Sequence, residues 1–493
     1  MFACQGRWLV SVLAAGLALT TITGCTVGPD YERPDIELGA AFEQLQDNPG
    51  WLLAQPGLAG FDQSWWTVFG DETLNGLMAT LNAQNLNIEQ AQAQYEQALT
   101  TVRSARASLY PTLGLNAEAT RADTPIVLPG TPAIAGTTAP YTEFASSLGL
   151  SWEIDLWGGI RRNVEAAQAT VQASAAQLAG TRLSAQSALA STYFQVRVQD
   201  VQMTLLDRTI TSYERSLQMT RNLLAAGLTD RGDVAVAQTQ LETARVQRLD
   251  LEWRRQQLEN AIAVLLGQTP SSFELATQVD LTVRPPAIPA GVPSALLQRR
   301  PDIAQAERQT AAANARIGVA TAAWFPDLTI SASGGYRTRQ FAQWFSAPAQ
   351  FWALGPALAM SLFDGGRRQA QIDQAQAEFR AQAASYRLTA LTALQEVEDT
   401  LVQLRVLEQV QQAQAAAVAA ARESLRIRQN QYDKGLVDYL SVAVLETTLL
   451  NNERNAIVVM GDRLVASVKL VAALGGGWSI DELADASNPV RTP

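Results

Sequence analysis

Residues 144–162 read FASSLGLSWEIDLWGGIRR, and the hydrophobic period changes partway through. Phe144, Leu148, Leu150, Trp152, Ile154 and Leu156 take alternate positions, with Ser147, Gly149, Ser151, Glu153 and Asp155 between them. Period two means a strand with one apolar and one polar face. Two glycines follow, and from Arg161 to Ala226 no proline and one glycine, Gly180, interrupt the chain. Along that stretch Leu206, Ile210, Tyr213, Leu217, Thr220 and Leu224 step by three and four, the stripe of a packed amphipathic helix. A helix of that length extends on the order of 100 Å, whereas an average globular helix has about 11–12 residues.

The pattern occurs twice. NLNIEQAQ (85–92) matches RPDIAQAE (300–307), and SLYPTL (108–113) matches AWFPDL (323–328), both 215 residues apart. WGGIRR (157–162) lies against DGGRRQ (364–369), 207 residues on, while GLTDRGDVAVAQTQ (227–240) and GLVDYLSVAVLETT (435–448) are 208 apart. The fall in offset assigns about eight extra residues to the first copy, in the Pro-, Gly- and Thr-rich stretch 123–141. A period near 200 is a duplicated domain-sized unit, not a solenoid. Each copy reads helix, strand, strand, long helix, short turn, helix. In the second copy Trp352, Leu354, Leu358, Met360 and Leu362 share a face, and Arg367–Lys434 contains neither Gly nor Pro.

Alternating segments of about ten residues bounded by aromatics (Tyr110, Trp152, Trp157, Trp324, Phe325, Trp344, Phe345, Phe351) suit membrane β-strands with interfacial girdles. The same alternation also suits a soluble sandwich. Two strands per copy make four per chain, and open edges cannot stand in lipid; the smallest membrane barrels have about eight strands. If these strands are membrane strands, several chains must share one barrel.

Composition excludes much chemistry. The 493 residues include no histidine and two cysteines, Cys4 and Cys25. That removes histidine acid–base catalysis, Ser-His-Asp triads and cysteine- or histidine-rich metal sites. There is no P-loop or GxSxG elbow, so no enzyme, cofactor or metal is expected. A formal charge of −10 argues against a nucleic-acid partner.

The N-terminus is an address. Arg7 precedes the apolar run Trp8–Ile22, too short to span a bilayer, and Ile22-Thr23-Gly24-Cys25 follows. That tetrapeptide resembles the bacterial lipobox, which makes 1–24 a signal peptide and Cys25 the lipid-attachment residue; Thr26 in place of Asp implies the outer membrane. An ordinary signal peptide or membrane anchor with an incidental cysteine is the alternative. Cleavage removes Cys4, so no intrachain disulfide remains.

The lipobox, the two-copy plan, DLWGGIRR (155–162), SLFDGGRRQA (361–370) and the Gly-Leu turns together resemble outer-membrane efflux proteins of the TolC type. The nearer resemblance is to the NodT-like lipoprotein branch serving resistance-nodulation-division pumps, and it spans essentially the whole mature chain. It implies a mainly α chain with a membrane β-barrel part: a duplicated helix-strand-strand-helix-helix unit whose homotrimer builds an α-helical barrel and a shared twelve-stranded β-barrel. The domains expected are the signal peptide 1–24, a lipidated extended segment 25–70, a first repeat 71–285 with strands near 112–122 and 141–157, a second repeat 286–478 with strands near 327–339 and 350–364, and a polar tail 479–493. The implied role is a passive exit duct for drugs or other small molecules across the periplasm and outer membrane. Its implied partners are a periplasmic adaptor (membrane fusion) protein, an inner-membrane resistance-nodulation-division transporter and outer-membrane lipid. A protein-secretion exit duct and a structural coiled-coil lipoprotein are the alternatives.

In that family the Gly-Leu turns sit at the periplasmic tip. Gly227, Leu228, Gly435 and Leu436 become candidate adaptor-docking positions, and Asp230, Arg231, Asp233, Asp438, Tyr439 and Val444 candidate gate residues. Gly227 and Gly435 suit helix ends, and Asp230 and Asp438 suit the N-cap of the next helix, so capping alone also explains the two acids. Many relatives have an Asp nine positions after the second turn glycine; here that position is Val444, with Glu446 two residues beyond.

Overall fold

The structure is a computed structural model describing residues 26–36, 64–122, 140–280, 283, 285–286 and 298–486. The expected signal peptide, Cys25, nearly all of the 123–141 insertion and the tail beyond 486 lie outside the described residues. Helices α1 (Glu72–Gln84) and α2 (Leu86–Ala107) lead into strands β1 (Thr112–Ala122) and β2 (Tyr141–Ile154), then α3 (Gly159–Ala225) and α4 (Arg231–Leu265). The second copy runs α5 (Pro301–Ala322), β3 (Asp327–Thr338), β4 (Gln350–Ala359), α6 (Arg367–Tyr432) and α7 (Tyr439–Ala473), with a short α8 (Asp481–Ala486) behind it. The copies agree in length: α2 and α5 have 22 residues each, α3 and α6 have 67 and 66, α4 and α7 have 35 each. Among the described residues no helix is long and apolar enough to cross a membrane.

The chain forms two compact units. The first comprises Met1–Pro34, Glu96–Gln172 and Glu307–Ser385 and holds one antiparallel sheet in the order β1-β2-β3-β4. Its register sorts the side chains by polarity. Leu150 stands opposite Leu113 and Ala332, Trp152 opposite Ile330, and Leu354 opposite Ala332, so these residues share a face. The other face carries Thr112, Ser151, Ser331 and Ser333, and an ion pair between Glu143 and Arg337 (3.7 Å). The apolar face is bare within the chain: Leu113, Leu115, Trp352, Leu354 and Leu358 are 68–80% exposed, which rules out a sandwich core on that side. Aromatics gather at both ends of the sheet. Trp157 stacks on Phe325 at 4.6 Å, and Phe144, Tyr336, Phe341, Trp344 and Phe345 cluster at the other end.

Two strands stop short of their expected ends. β2, expected to reach 157, ends at Ile154, because Asp155 turns to accept the backbone N–H groups of Ile160 and Arg161 at 3.1 and 2.9 Å. β4, expected to reach 364, ends at Ala359, opposite Asp327, the first residue of β3; Pro326 precedes it and has no N–H to extend the ladder. Of the paired glycines at these junctions, Gly158, Gly365 and Gly366 take positive φ, and Gly159 is the ordinary first residue of α3.

An N-terminal strap crosses the same unit. The Val27 N–H donates to the Trp157 carbonyl at 3.1 Å, and Arg162, almost fully buried, donates to the Val27 and Gly28 carbonyls and pairs with Asp30 at 2.8 Å. Gly28 presses on Gly318, where an added Cβ would come within 2.5 Å of backbone, and Gly158 lies similarly against Thr26.

The second unit comprises Asp35–Tyr95, Ala173–Ala306 and Tyr386–Pro493. Its main core joins Leu74, Met78 and Leu81 of α1 to Leu189, Tyr193 and Phe194 of α3, Ile262 of α4, Val397 and Leu401 of α6, and Leu464 and Val468 of α7. Residues 65–69, expected within an extended segment, form a 3-10 turn that buries Trp65, Trp66 and Phe69 in this core. Asp200, fully buried, receives Arg197 and Arg255 at 3.0 and 2.6 Å and the Gln278 N–H at 3.1 Å. Arg255 also donates to the Leu275 carbonyl and Arg197 to that of Ala276. This network ties the segment joining the two copies to α3 and α4 of the first copy.

Candidate functional site

Both Gly-Leu turns lie in the second unit and are built alike. Gly227 and Gly435 take φ of 72° and 69°, the left-handed conformation that closes a helix at no steric cost. In each, the glycine N–H and the next leucine N–H return to the last helical turn: Gly227 to Leu224 and Leu228 to Leu223, Gly435 to Tyr432 and Leu436 to Gln431. Three residues after each glycine an aspartate caps the next helix. Asp230 accepts the Asp233 N–H at 3.0 Å, and Asp438 accepts the Ser441 N–H at 3.0 Å and its hydroxyl at 2.5 Å. The Ser441 hydroxyl and backbone N–H hold the Asp438 carboxyl below the usual carboxylate range, Arg428 adding to the effect. Asp233 accepts the Thr229 hydroxyl inside the first turn.

Capping therefore accounts for Asp230 and Asp438 within the chain. Arg231 is exposed and, among the described residues, forms no ion pair. Leu228 and Leu436 are 73% and 70% exposed at the turn apices, and Val444 is 57% exposed on the flank of α7. Tyr439 differs from the rest. It is 2% exposed and packed against the Tyr432 ring at 5.8 Å, and burial pushes its phenol pKa up.

Behind the turns, four helices share a core: Met203, Leu206, Tyr213 and Leu217 of α3, Leu241, Ala244 and Leu251 of α4, Leu425 and Tyr432 of α6, and Tyr439, Val442 and Leu450 of α7. Polar bonds cross from α4 to α7. The Tyr439 hydroxyl donates to Gln240 Oε1 at 3.0 Å, and Gln240 Nε2 donates to the Ala443 carbonyl at 2.8 Å. Farther along, Arg454 donates to Gln247 Oε1 at 3.0 Å. Gln240 and Gln247 were not singled out in the sequence. Their signal is faint but present: two glutamines one heptad apart, each meeting a residue 207 positions on, Thr447 and Arg454. The outer flanks carry ion pairs, Arg245–Glu214 and Arg248–Asp207 between α3 and α4 and Arg422–Glu453 between α6 and α7. Among the described residues no cluster of acids and sulfur or imidazole ligands fit to hold a metal is found.

The site is thus a pair of duplicated helical turns with exposed leucine apices, over a core whose polar contacts lie between the copies.

Comparison with known proteins follows the same two-copy division. The family model described as outer membrane efflux protein matches residues 77–268 and 292–476. The chain is 30% identical over 474 residues to a probable efflux pump outer membrane protein, TtgC, of Pseudomonas putida, covering 95% of this chain and 96% of the relative. It is 26% identical over 462 residues to the cation efflux system protein CusC of Escherichia coli, covering 93% and 96%. Among solved structures it is similar to the outer-membrane channel OprN, with a TM-score of 0.83 and 28% identity over 92% of this chain and 100% of that one.

Proposed function

The chain belongs to the outer membrane efflux protein family, and from that premise we propose that it works as a lipid-anchored homotrimeric exit duct of a tripartite pump, shut at its paired helical turns until recruited. It is an outer-membrane channel protein, and the duct itself performs no chemistry: an inner-membrane transporter supplies the energy and a periplasmic adaptor couples the two. The toluene and cation cargoes in the relatives' names belong to those relatives; drugs or other small molecules are the cargo class proposed for this chain.

One observation carries the reading. The four-stranded sheet is apolar on one face, polar on the other, and open at both edges, β1 and β4. A bare apolar face suits lipid, but unpaired edges do not. Three copies joined β1 to β4 give twelve strands, a closed barrel with a polar lumen. Thr26 packing against Gly158, beside the Trp157–Phe325 stack, supports an acyl chain on Cys25 meeting the membrane boundary there. The exposed Leu228 and Leu436 apices support end-on docking of an adaptor.

Full-length protein extracted in mild detergent should sediment as a trimer and conduct in planar bilayers. Cysteines at facing positions of β1 and β4 should cross-link between copies. A monomer without conductance and without such cross-links would overturn the reading.

A further inference from the structure

Glu446 lies about two turns into α7 and, unlike its exposed neighbour Val444, is turned inward. Its Oε2 is buried without a hydrogen-bond partner. The groups around it are mostly uncharged: Tyr213 of α3 and Tyr439 of its own helix, both almost fully buried. Tyr432 of α6 stacks on Tyr439, Gln240 of α4 accepts the Tyr439 hydroxyl, and Asp233 of α4 acts on Tyr432. A carboxylate there, with Oε2 unpartnered, is costly, so this packing suits the neutral acid. Burial pushes the Glu446 carboxyl up to about 7, the Tyr439 hydroxyl offsetting part of the rise.

Next to it the helices leave a cavity of about 600 Å³, lined by Ser212, Arg215 and Ser216 of α3, Arg422 and Arg426 of α6, and Glu446 itself. Arg422 and Arg426 bond Glu453 and Glu423 on the outer flank. Met219, Leu425 and Gln429 complete the lining, so the cavity is mixed in polarity and wide enough for water, with Arg215 and the two paired arginines among its walls.

We propose that Glu446 is a gating residue with two seats: a neutral seat against Tyr439 and Tyr213 that keeps α7 packed on α3, and a charged seat in the arginine-lined cavity that lets the turn end loosen. The proposal rests on reading the turns as the gate. It goes beyond that reading by making proton activity the input.

The sign follows from the two environments. The carboxyl titrates near its ordinary 4.5 when the packing is open and near 7 when it is closed. The packed form is therefore most stable below about 4.5 and loses stability as pH rises to about 7, by two to three tenfold steps in the packed-to-loosened ratio. Acid tightens the turn end and neutral pH releases it.

The test uses the full-length protein in planar bilayers at pH 5 and pH 8. The unaltered chain should open about tenfold or more often at pH 8. Glu446→Gln, a near-isosteric neutral mimic, should hold the pH 5 level at both. Hydrogen exchange at residues 439–450 gives a second readout independent of conduction. At pH 8 these amides should exchange faster in the unaltered chain than in Glu446→Gln, and at pH 5 the two should agree. If neither protein conducts but the exchange difference is present, the duct reading fails and the Glu446 switch stands. If both conduct and titrate alike, with equal exchange, the switch is overturned and the duct stands.

Discussion

Tyr439→Phe removes one oxygen from a part-buried polar contact between the two copies. The ring fills the same space, so its packing on Tyr432 survives, and the loss falls on the 3.0 Å bond to Gln240 and on the hydroxyl's interactions with Glu446 and Ser216. A neutral hydrogen bond of this kind contributes about 0.5–1.5 kcal/mol, and an acceptor left short of a donor costs somewhat more. Gln240 is partly exposed, so water takes up some of that loss and about 1 kcal/mol per subunit is the reasonable figure. One subunit opening alone would then gain about fivefold in its equilibrium, and three opening in concert on the order of 100-fold. Single-channel recording separates these cases through the open probability of Tyr439→Phe. A double-mutant cycle with Gln240→Leu assigns the effect, because the pair should couple by about 1 kcal/mol. An unchanged open probability together with zero coupling would show that the α4–α7 bond takes no part in holding the closed form.

Asp200→Ala leaves Arg197 and Arg255 buried without their shared acid, at a cost of about 3–5 kcal/mol. Limited proteolysis should then clip residues 273–280, and an unclipped segment would count against the network's role. Gly335→Ala sets a Cβ 2.0 Å from the Ser146 carbonyl oxygen, so β2 and β3 cannot close and the assembled species should vanish from semi-native gels; Gly114→Ala, with open space around it, should assemble normally. Asp438→Ala should speed exchange of the Ser441 amide. The Asp438 carboxyl is held below its ordinary range, so its contribution is present above that range and is lost only as pH falls through the depressed value. The effect should therefore be level between pH 5 and pH 8, and a slope in that window would refute the capping account.

Much of the fold was legible because the strand and helix periods are strong and each is written twice. Alternation marked β2 and β4, a proline-free run with a single glycine marked α3, a Gly- and Pro-free run marked α6, and the glycines marked the helix ends. Strand ends were less legible. Leu156, Met360 and Leu362 keep the alternating pattern, but hydrogen bonds end the strands: Asp155 is diverted to cap α3, and Pro326 closes the β3 ladder. The site was half legible. Turn geometry follows from local residue types, so Gly227, Asp230, Gly435 and Asp438 could be placed from their neighbours alone. Gln240, Gln247 and Glu446 could not, because their roles depend on which side of a helix faces a partner some 200 residues away. The hydrophobic stripe gives only a coarse direction for that.

The duplication leaves open which copy holds the turn end together, and the contacts point to the seam between them. α7 buries thirteen of its residues within the chain and α4 seven, so the copies are unequal in packing although equal in length. α4 retains an exposed apolar stripe, Val246, Leu249 and Trp253, at the three-and-four spacing that packs against another helix. Near the turns its polar links run to α7 through Gln240, whereas its ion pairs to α3 there are exposed and contribute little; the buried Arg255–Asp200 pair to α3 lies farther along the helix. Near the turns the two helices are joined by neutral hydrogen bonds through Gln240, which can part without stranding a buried charge; the Arg454–Gln247 bond lies farther along. Tyr439 and Glu446 come from the second copy, and Gln240 from the first accepts the Tyr439 hydroxyl. A change confined to either copy must act across that contact, so the packing of the turn end is a property of the pair.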